Sequence, residues 1–307
     1  MKGKLPNLFI VGAAKAGTTS LYNYLKQHPD VYVSPIKEPN YFGSDINWHN
    51  FREDYKISTM IDFQKYFSHH DLDEKHNAFL DSKENYLKLF RNERGEKVLA
   101  EFSTSYLYSK YAASELHTFN PDAKIIILVR EPVSRTFSHF FMDVMGGRQN
   151  TKCILQSLKE DFENESKGYG ITNLYIDMSL YHDQIERYLN VFPRDQILIT
   201  SFEQLSKNPT TFMNQVFEFA ELNPKDCHLN FDTKFNQTVL PKNKLIEFLL
   251  QYKNQIPKPL NKLGKKYKSV FFKKKRNKII PKDANEYVEK IVIEDWIKTN
   301  ELIKERR

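Results

Sequence analysis

The sequence predicts an α/β fold in which a central parallel sheet is flanked by helices. Three short, largely apolar runs carry this prediction, at residues 8–11, 98–101 and 125–129. The third run, Ile-Ile-Ile-Leu-Val, shows no polar alternation, which is typical of a strand buried on both faces. The first and third runs are each followed by a turn and a helical pattern, as in βαβ units. Because the length suits one large α/β domain, we expect a single domain over residues 1–307.

The first predicted strand leads into a loop of small residues and then into a helix. The loop contains Gly12, Lys15 and Gly17, and the helix begins near Thr18. Backbone N–H groups at a helix N-terminus lack intrahelical partners and carry partial positive charge, so this arrangement suits a phosphate. The glycines have the spacing of G-x-x-x-x-G-K-[ST], but Thr18 stands where that pattern has its lysine. The alternative is an ordinary glycine-containing turn with a chance lysine.

This loop resembles the 5′-phosphosulfate loop of sulfotransferases that use 3′-phosphoadenosine 5′-phosphosulfate (PAPS). In that family an internal lysine precedes Gly-Thr-Thr or Gly-Thr-Arg, and here Lys15 precedes Gly-Thr-Thr. The resemblance implies a P-loop-like three-layer fold in which Lys15 offsets charge on the departing phosphate oxygen. The donor-binding residues that it implies in this loop are Ala14, Lys15, Ala16, Gly17, Thr18 and Thr19.

A polar loop at residues 34–42 follows the next short predicted strand. Ligands of open parallel sheets bind beyond the carboxyl ends of the strands, where we expect this loop to lie. Glu38 followed by the aromatic pair at 41–42 resembles the glutamate loop of heparan sulfate-type sulfotransferases. The resemblance implies that Glu38 is the general base that removes the proton of an acceptor hydroxyl. From spacing alone, a surface pair of Glu38 with Lys37 is favoured, and His49 is the nearest alternative base.

Residues 43–97 have weak helical spacing, so we expect a helical insertion that shapes the acceptor cleft. After the following strand the family often has Gly-Glu-Lys-(Ser/Thr)-Pro-x-Tyr. The residues of that pattern that this chain retains are Glu101, Ser103 and Tyr106. Phe102 stands where the pattern has its lysine, and Thr104 where it has its proline. This departure leaves Lys15 and Lys37 to neutralise charge at the sulfuryl group.

The strand at residues 125–129 ends at Arg130, and Ser138 follows eight residues later. This pair resembles the family's 3′-phosphate site, an arginine at a strand end with a serine eight residues on. A guanidinium donates paired N–H groups to a phosphate, and a hydroxyl adds one more donor. We expect the helix to begin at Ser134. The alternative for Arg130 is a salt bridge to Glu131 or another acid at the end of a buried strand.

The later part of the chain gives weaker indications. Residues 146–178 are predicted as a mobile loop, and Tyr181 beyond them either lines the site or packs in the core. Lys242 is a candidate phosphate contact in a loop that resembles the one closing over the donor nucleotide. A basic helical region is expected over residues 242–307. Its stretch 258–278 suits an anionic polymer or membrane surface, although such a run is usually a solvated face.

Composition limits the class of protein and its compartment. The net charge of +7 is local, because ten Lys or Arg residues and no acid lie between 258 and 278, and no specific nucleic acid partner is expected. There is no apolar run of membrane-spanning length and no signal peptide. Two cysteines, Cys153 and Cys227, are too few for a disulfide framework. We therefore expect a cytoplasmic enzyme, and no cluster of metal ligands is apparent.

The resemblance implies that the sulfuryl group of PAPS passes in line to an acceptor hydroxyl or amine, which leaves adenosine 3′,5′-bisphosphate. A carbohydrate acceptor is favoured because the glutamate loop resembles that of polysaccharide enzymes. A lipid, a small alcohol or a tyrosine stays open as acceptor. Two other classes remain as alternatives. One is an ATP-dependent P-loop kinase, against which the displaced lysine argues, and the other is a noncatalytic protein that binds through its basic stretch.

Overall fold

The computed structural model describes residues 4–232 and 280–304, with residues 240–241, 246 and 272–273 between them. The strands are β1 (Leu8–Gly12), β2 (Val31–Val33), β3 (Ile36–Lys37), β4 (Lys75–His76), β5 (Val98–Phe102), β6 (Lys124–Val129), β7 (Ile197–Ser201), β8 (Leu240–Pro241) and β9 (Phe272–Lys273). The α-helices are α1 (Thr18–Leu25), α2 (Glu53–Thr59), α3 (Phe63–Ser68), α4 (Lys83–Lys88), α5 (Ser105–Tyr108), α6 (Ala112–Phe119), α7 (Pro132–Gly146), α8 (Ile154–Phe162), α9 (His182–Leu189), α10 (Phe202–Lys207), α11 (Pro209–Phe219) and α12 (Lys282–Lys304).

The main sheet has five strands in the order β2-β5-β1-β6-β7, and every neighbouring pair is parallel. All residues of β1, β5 and β7 are buried, and in β6 only the first residue is partly exposed. Burial on both faces explains why these strands read as continuous apolar runs. The predicted central parallel sheet flanked by helices is therefore confirmed.

The strand order creates a switch point beside β1. The chain continues from β1 to β2 on one side of the sheet, whereas β6 and β7 extend the other side. The loop after β1 is fixed to the end of β6, since the Ala13 N–H donates to the Leu128 carbonyl oxygen. Ligands bind at such points beyond the carboxyl ends of the strands, so the fold brings the loop after β1 to the expected ligand edge.

Helices α7 and α12 form a second apolar cluster outside the main sheet core. Phe137, Phe140 and Phe141 of α7 are buried together with Val288 and Val292 of α12. Helix α12, which lies in the region predicted to be helical, therefore packs back on the domain. Within the described part of the chain, no helix is long and apolar enough to cross a membrane.

Three predicted boundaries differ from the structure. Residues 43–97 contain α2, α3 and α4 but also β4, which pairs in parallel with β3. Residues 146–178 include helix α8. Helix α7 begins at Pro132, two residues before the predicted Ser134, because the Glu131 carboxylate accepts the N–H groups of Val133 and Ser134 and proline suits a first turn.

Candidate active site

The loop after β1 ends in a glycine that is required by the backbone. Gly17 has φ 99 and is the N-cap residue of α1. This left-handed conformation disfavours residues with a Cβ, and an added Cβ here would lie 2.8 Å from the Phe202 ring. Because a glycine has no side chain, it supplies no side-chain cap to the N–H groups of the first turn. Those groups, beginning at Thr18, are the anion-binding donors that the sequence predicts.

Arg130 lies at the end of β6 and contacts this loop directly. Its Nη1 donates to the Lys15 carbonyl oxygen at 3.1 Å, and its guanidinium lies 4.7 Å from the centre of the Phe202 ring. Burial lowers the pKa of the Arg130 guanidinium below its ordinary value, while the charge of Glu203 acts in the opposite direction. Its Nε is shielded from solvent and has no hydrogen-bond partner among the described residues. An unused donor on a guanidinium beside the loop fits the binding of an anion.

The salt bridge between Arg130 and Glu131, the alternative considered from sequence, is not formed, because Glu131 caps α7. Ser138 is buried on the same helix, with 3% of its surface exposed. Lys15 Nζ donates to the Met142 Sδ at 3.4 Å. Met142 lies four residues after Ser138, so both are on one face of α7. The structure therefore brings the loop, Arg130 and the Ser138 face of α7 together.

Glu38 follows β3 and forms a buried ion pair with its neighbour. Its Oε1 lies 2.7 Å from Lys37 Nζ, and its Oε2 accepts the Thr104 hydroxyl at 3.1 Å. In a regular strand these two neighbours would point to opposite faces. Glu38 instead has φ 66, a left-handed conformation that ends the alternation. The Lys37–Glu38 pair was considered from the sequence as a surface pair, but it is buried.

The electrostatic surroundings keep Glu38 ionised. Burial alone would raise the pKa of the carboxyl, but the charges of Lys37 and His76 and the hydrogen bonds from Lys37 and Thr104 outweigh burial. The pKa therefore lies below its ordinary value of 4.5. A carboxylate that is ionised at neutral pH can accept a proton during the reaction.

His76 is a neighbour of Glu38 that the sequence did not reveal. Its Nε2 lies 3.7 Å from the Glu38 Oε1, because β4 pairs with β3. Burial lowers the pKa of His76, and Lys37 and Lys15 add to this while Glu38 opposes it. His49, the nearest alternative base considered from the sequence, is exposed and lies against the ring of Trp48. Nothing in the local sequence marks His76, since its position depends on pairing with a strand almost forty residues earlier.

Glu101 is a second carboxyl close to Glu38, and it is fully buried. Its Oε1 accepts the Ser103 hydroxyl at 2.7 Å, and its Oε2 accepts the Tyr86 hydroxyl at 3.3 Å. Burial raises its pKa to about 7, the hydrogen bonds lower it, and the charge of Glu38 adds to the increase. The motif comparison named Glu101 as a retained residue but gave it no role.

Two tyrosines lie near Glu38: Tyr55 is in α2, and Tyr169 is in the segment after α8. The Tyr55 hydroxyl donates to the Tyr169 hydroxyl at 3.3 Å, and Asn77 donates to Tyr55 at 3.2 Å. Burial raises the pKa of both phenols, and the charge of Glu38 contributes to the increase. The Arg52 N–H donates to the Gly170 carbonyl oxygen at 2.9 Å, which joins these two parts of the chain.

The remaining predicted residues have other positions. Tyr181 is fully buried and donates to the Arg130 carbonyl oxygen at 3.0 Å, so it supports the end of β6. Lys242 and most of the stretch 258–278 lie outside the described residues. The sequence showed no metal-ligand cluster, but the structure brings one candidate group together at the start of α9. Its members, whose ligand atoms lie within 4.8 Å of one another, are His182, Asp183 and Glu186.

Known proteins of similar sequence include two mouse enzymes. The chain is 25% identical over 249 residues to carbohydrate sulfotransferase 15 of Mus musculus, which covers 72% of this chain and 44% of that protein. It is 28% identical over 236 residues to the mouse heparan sulfate glucosamine 3-O-sulfotransferase 3B1, which covers 76% of this chain and 50% of that protein. The chain thus spans about half the length of the curated relatives it matches.

Among solved structures, the sulfotransferase of Alicyclobacillus acidocaldarius is 25% identical and has a TM-score of 0.69. That similarity covers 98% of this chain and 97% of the bacterial protein. A model of the Sulfotransferase family matches residues 6–226, which is more than half of the 307 residues. The chain therefore belongs to the Sulfotransferase family.

Proposed function

We propose that this chain transfers the sulfuryl group of PAPS to a hydroxyl or amine of a carbohydrate acceptor. The observation that carries the proposal is the hydrogen bond from Arg130 Nη1 to the Lys15 carbonyl oxygen. It joins the helix N-terminus after β1 to a guanidinium whose Nε has no partner in the described part of the chain, which gives two groups suited to anions at one edge of the sheet. A donor with phosphate groups at its 5′ and 3′ positions suits that pair.

In this proposal, two groups of residues bind the two phosphate-bearing ends of the donor. Arg130 and Ser138 bind the 3′-phosphate through N–H and O–H donors. The first turn of α1 and the preceding loop bind the 5′-phosphosulfate. The residues of that loop are Ala14, Lys15, Ala16, Gly17, Thr18 and Thr19.

The transfer itself exchanges one bond to sulfur for another. The acceptor oxygen or nitrogen forms a bond to sulfur while Glu38 accepts its proton. The bond between sulfur and the phosphate oxygen breaks, and its electron pair stays on adenosine 3′,5′-bisphosphate. The Lys15 ammonium offsets the charge that develops on that oxygen. Lys37, 2.7 Å from Glu38, keeps the base ionised before each turnover.

A carbohydrate is the proposed acceptor for two reasons. The named substrates of the similar mouse proteins are a carbohydrate and heparan sulfate glucosamine. Tyr55 and Tyr169 also lie close enough to Glu38 for its charge to affect their pKa. Such rings offer an apolar face and a hydroxyl group, which together suit the apolar and polar surfaces of a sugar.

Calorimetric titration tests the donor site without knowledge of the acceptor. We expect adenosine 3′,5′-bisphosphate to bind more tightly than ATP with Mg²⁺, and Arg130→Ala to weaken it at least ten-fold through loss of a charge-assisted hydrogen bond. Arg94→Ala is the matched control, because Arg94 is exposed in the turn before β5, at the opposite edge of the sheet. Binding of ATP alone would favour the kinase class instead. With donor binding established, labelled PAPS can be used to identify the acceptor.

A further inference from the structure

Three consecutive backbone N–H groups beyond Glu38 point to hydroxyl groups. The Asn40 N–H donates to Ser103 Oγ at 3.1 Å. The Tyr41 and Phe42 N–H groups donate to the Tyr106 hydroxyl at 2.9 and 3.3 Å. The backbone that carries the proposed base is therefore held by two side chains that follow β5.

Both hydroxyls lie beside one buried carboxyl. Ser103 donates to Glu101 Oε1 at 2.7 Å, and the Tyr106 hydroxyl lies next to both Ser103 and Glu101 and lowers the pKa of Glu101. A hydroxyl has a single proton, so one that accepts an N–H can donate that proton to only one other group. Glu101, which is fully buried, accepts the proton of Ser103, so the direction from the Asn40 N–H through the Ser103 hydroxyl to the carboxylate is fixed. The Tyr106 hydroxyl, which accepts the other two N–H groups, adjoins the same Ser103–Glu101 pair.

The loop needs such support because its backbone is strained. Glu38 has φ 66 and Asn40 has φ 45, and neither is a glycine. Left-handed conformations of this kind are sparsely populated and persist only where the surrounding contacts determine them. The same left-handed turn at Glu38 brings its carboxylate to Lys37 and Thr104. Loss of the support would therefore move the proposed base.

We propose that Glu101 is a positioning residue, which holds the Glu38 loop in its reactive conformation through Ser103 and Tyr106. The expected effect on catalysis rests on the proposed function. The anchoring of the loop by Glu101 is independent of that function. Glu101 does not touch the reacting atoms. It acts by determining where the Glu38 carboxylate lies, and catalytic rates are sensitive to displacements of about 1 Å.

The anchoring depends on the protonation state of Glu101. A protonated carboxyl is a weaker acceptor than a carboxylate and must itself donate one hydrogen bond, so protonation weakens the bond from Ser103 and forces one neighbouring hydroxyl, Tyr86 included, to reverse. Since its pKa is raised to about 7, we expect the loop to loosen as the pH falls through neutrality. The titratable groups that face Glu101 from the neighbouring elements are Glu38, Tyr86, Tyr106 and Tyr188.

Amide hydrogen exchange of the full chain tests the anchoring. After correction for intrinsic exchange rates, we expect protection at residues 40–42 to fall at least ten-fold in Glu101→Gln, since bonds linked to a charged group are lost. In the wild type this protection should decrease as the pH falls through about 7, and the variant should show no such transition. Unchanged protection, or a transition that persists without Glu101, would overturn the proposal.

Kinetics test the consequence for the base. We expect Glu101→Gln to lower kcat about 10- to 100-fold, with less than a two-fold change in affinity for adenosine 3′,5′-bisphosphate. Glu115→Gln is the matched control, because the Glu115 carboxylate accepts the N–H groups of Gly43 and Ser44, the next residues of the same loop. This control should change exchange at residues 43–44 and leave kcat within two-fold of the wild type.

Two further variants keep the test decisive if Glu101→Gln does not fold. Ser103→Ala should expose the Asn40 amide, and Tyr106→Phe should expose those of Tyr41 and Phe42, while both retain the pH transition. If either variant lost protection from exchange equally at residues 40, 41 and 42, the separate connections through Ser103 and Tyr106 would be refuted. Exchange requires no acceptor or donor. If the wild-type protein transferred no sulfuryl group, the proposed function would be refuted. The exchange measurements would still test the anchoring.

Discussion

Glu38→Gln is the substitution that separates the proposed chemistry from donor binding. It preserves the size of the side chain and leaves an oxygen to accept the Thr104 hydroxyl, but it removes the basic group. A general base contributes about 10²–10⁴-fold to the rate, or about 3–5 kcal/mol of barrier. We expect kcat to fall by this amount. Affinity for adenosine 3′,5′-bisphosphate should stay near the wild-type value, because Glu38 is not among the proposed donor contacts.

The same substitution has a cost in stability that follows from the ion pair. The Lys37 side chain is only 7% exposed, and it would lose the carboxylate 2.7 Å away. Removing one partner of a buried pair costs about 3 kcal/mol, the lower end of the usual range, because the glutamine still accepts a hydrogen bond. The folded pKa of Glu38 lies below 4.5, so its stabilisation is present above that pH and is lost as the pH falls through the folded pKa. The difference between wild type and variant should therefore shrink below about pH 4.5.

Two assays measure these effects independently. Single-turnover transfer from labelled PAPS reports the chemical step, and urea unfolding at pH 7 and pH 4 reports the stability difference. Lys37→Met combined with Glu38→Gln removes both charges, and we expect it to recover stability but not turnover. Near-normal turnover of Glu38→Gln would refute the assignment of the base. Recovery of turnover in the double variant would show that the single variant failed through the uncompensated Lys37 charge.

Two further predictions concern the charges around the transferred group. Lys15→Ala should lower the single-turnover rate by about 10²–10³-fold, as loss of one preorganised electrostatic contact does, and a rate within three-fold of wild type would contradict its role. His76→Gln should raise the pKa of Glu38, because His76 is one of the groups that lower it. Protonation of the base should then abolish activity at a higher pH than in the wild type. A pH–rate profile would detect this shift, and His70→Gln, which changes an exposed histidine, is the control. Apart from the change near pH 7 expected for Glu101, an unshifted loss of activity below about pH 4.5 would show that His76 does not affect the base.

The placement of the proposed donor-binding residues in the fold could be predicted because their signals are local. Gly17 and the hydroxyl run after it lie within one βα turn, and Arg130 directly follows a strand that is apolar throughout. Each of these segments is short, and its geometry follows from its own strand and helix. Their proximity also follows from sequence, since the carboxyl ends of parallel strands meet at the same edge of the sheet. The contact between Arg130 and the Lys15 carbonyl depends on this topology and on little else.

The acceptor side could be predicted only in part, because its geometry depends on distant pairings. His76 reaches Glu38 through the pairing of β4 with β3, a contact with no local pattern in two-residue strands. The burial of Lys37 beside Glu38 depends on a left-handed backbone at a glutamate, which residue preferences argue against. Glu101 belonged to a recognisable motif, but its bonds to the Glu38 loop pass through side chains whose partners are about sixty residues away.

The phenylalanine at position 102 shows how this site differs from the lysine-containing pattern. Phe102 is fully buried and packs edge-to-face on Tyr22, with ring centres 5.2 Å apart, so a lysine with this orientation would place its charge in the core. The Glu38 N–H donates to the Phe102 carbonyl oxygen at 2.7 Å, which holds the Lys37–Glu38 segment against this strand end. A cation is therefore still present beside the proposed base, but β3 supplies it rather than β5. Lys37 also lowers the pKa of Glu38, so the charge beside the proposed base and the ionised state of that base depend on the same residue.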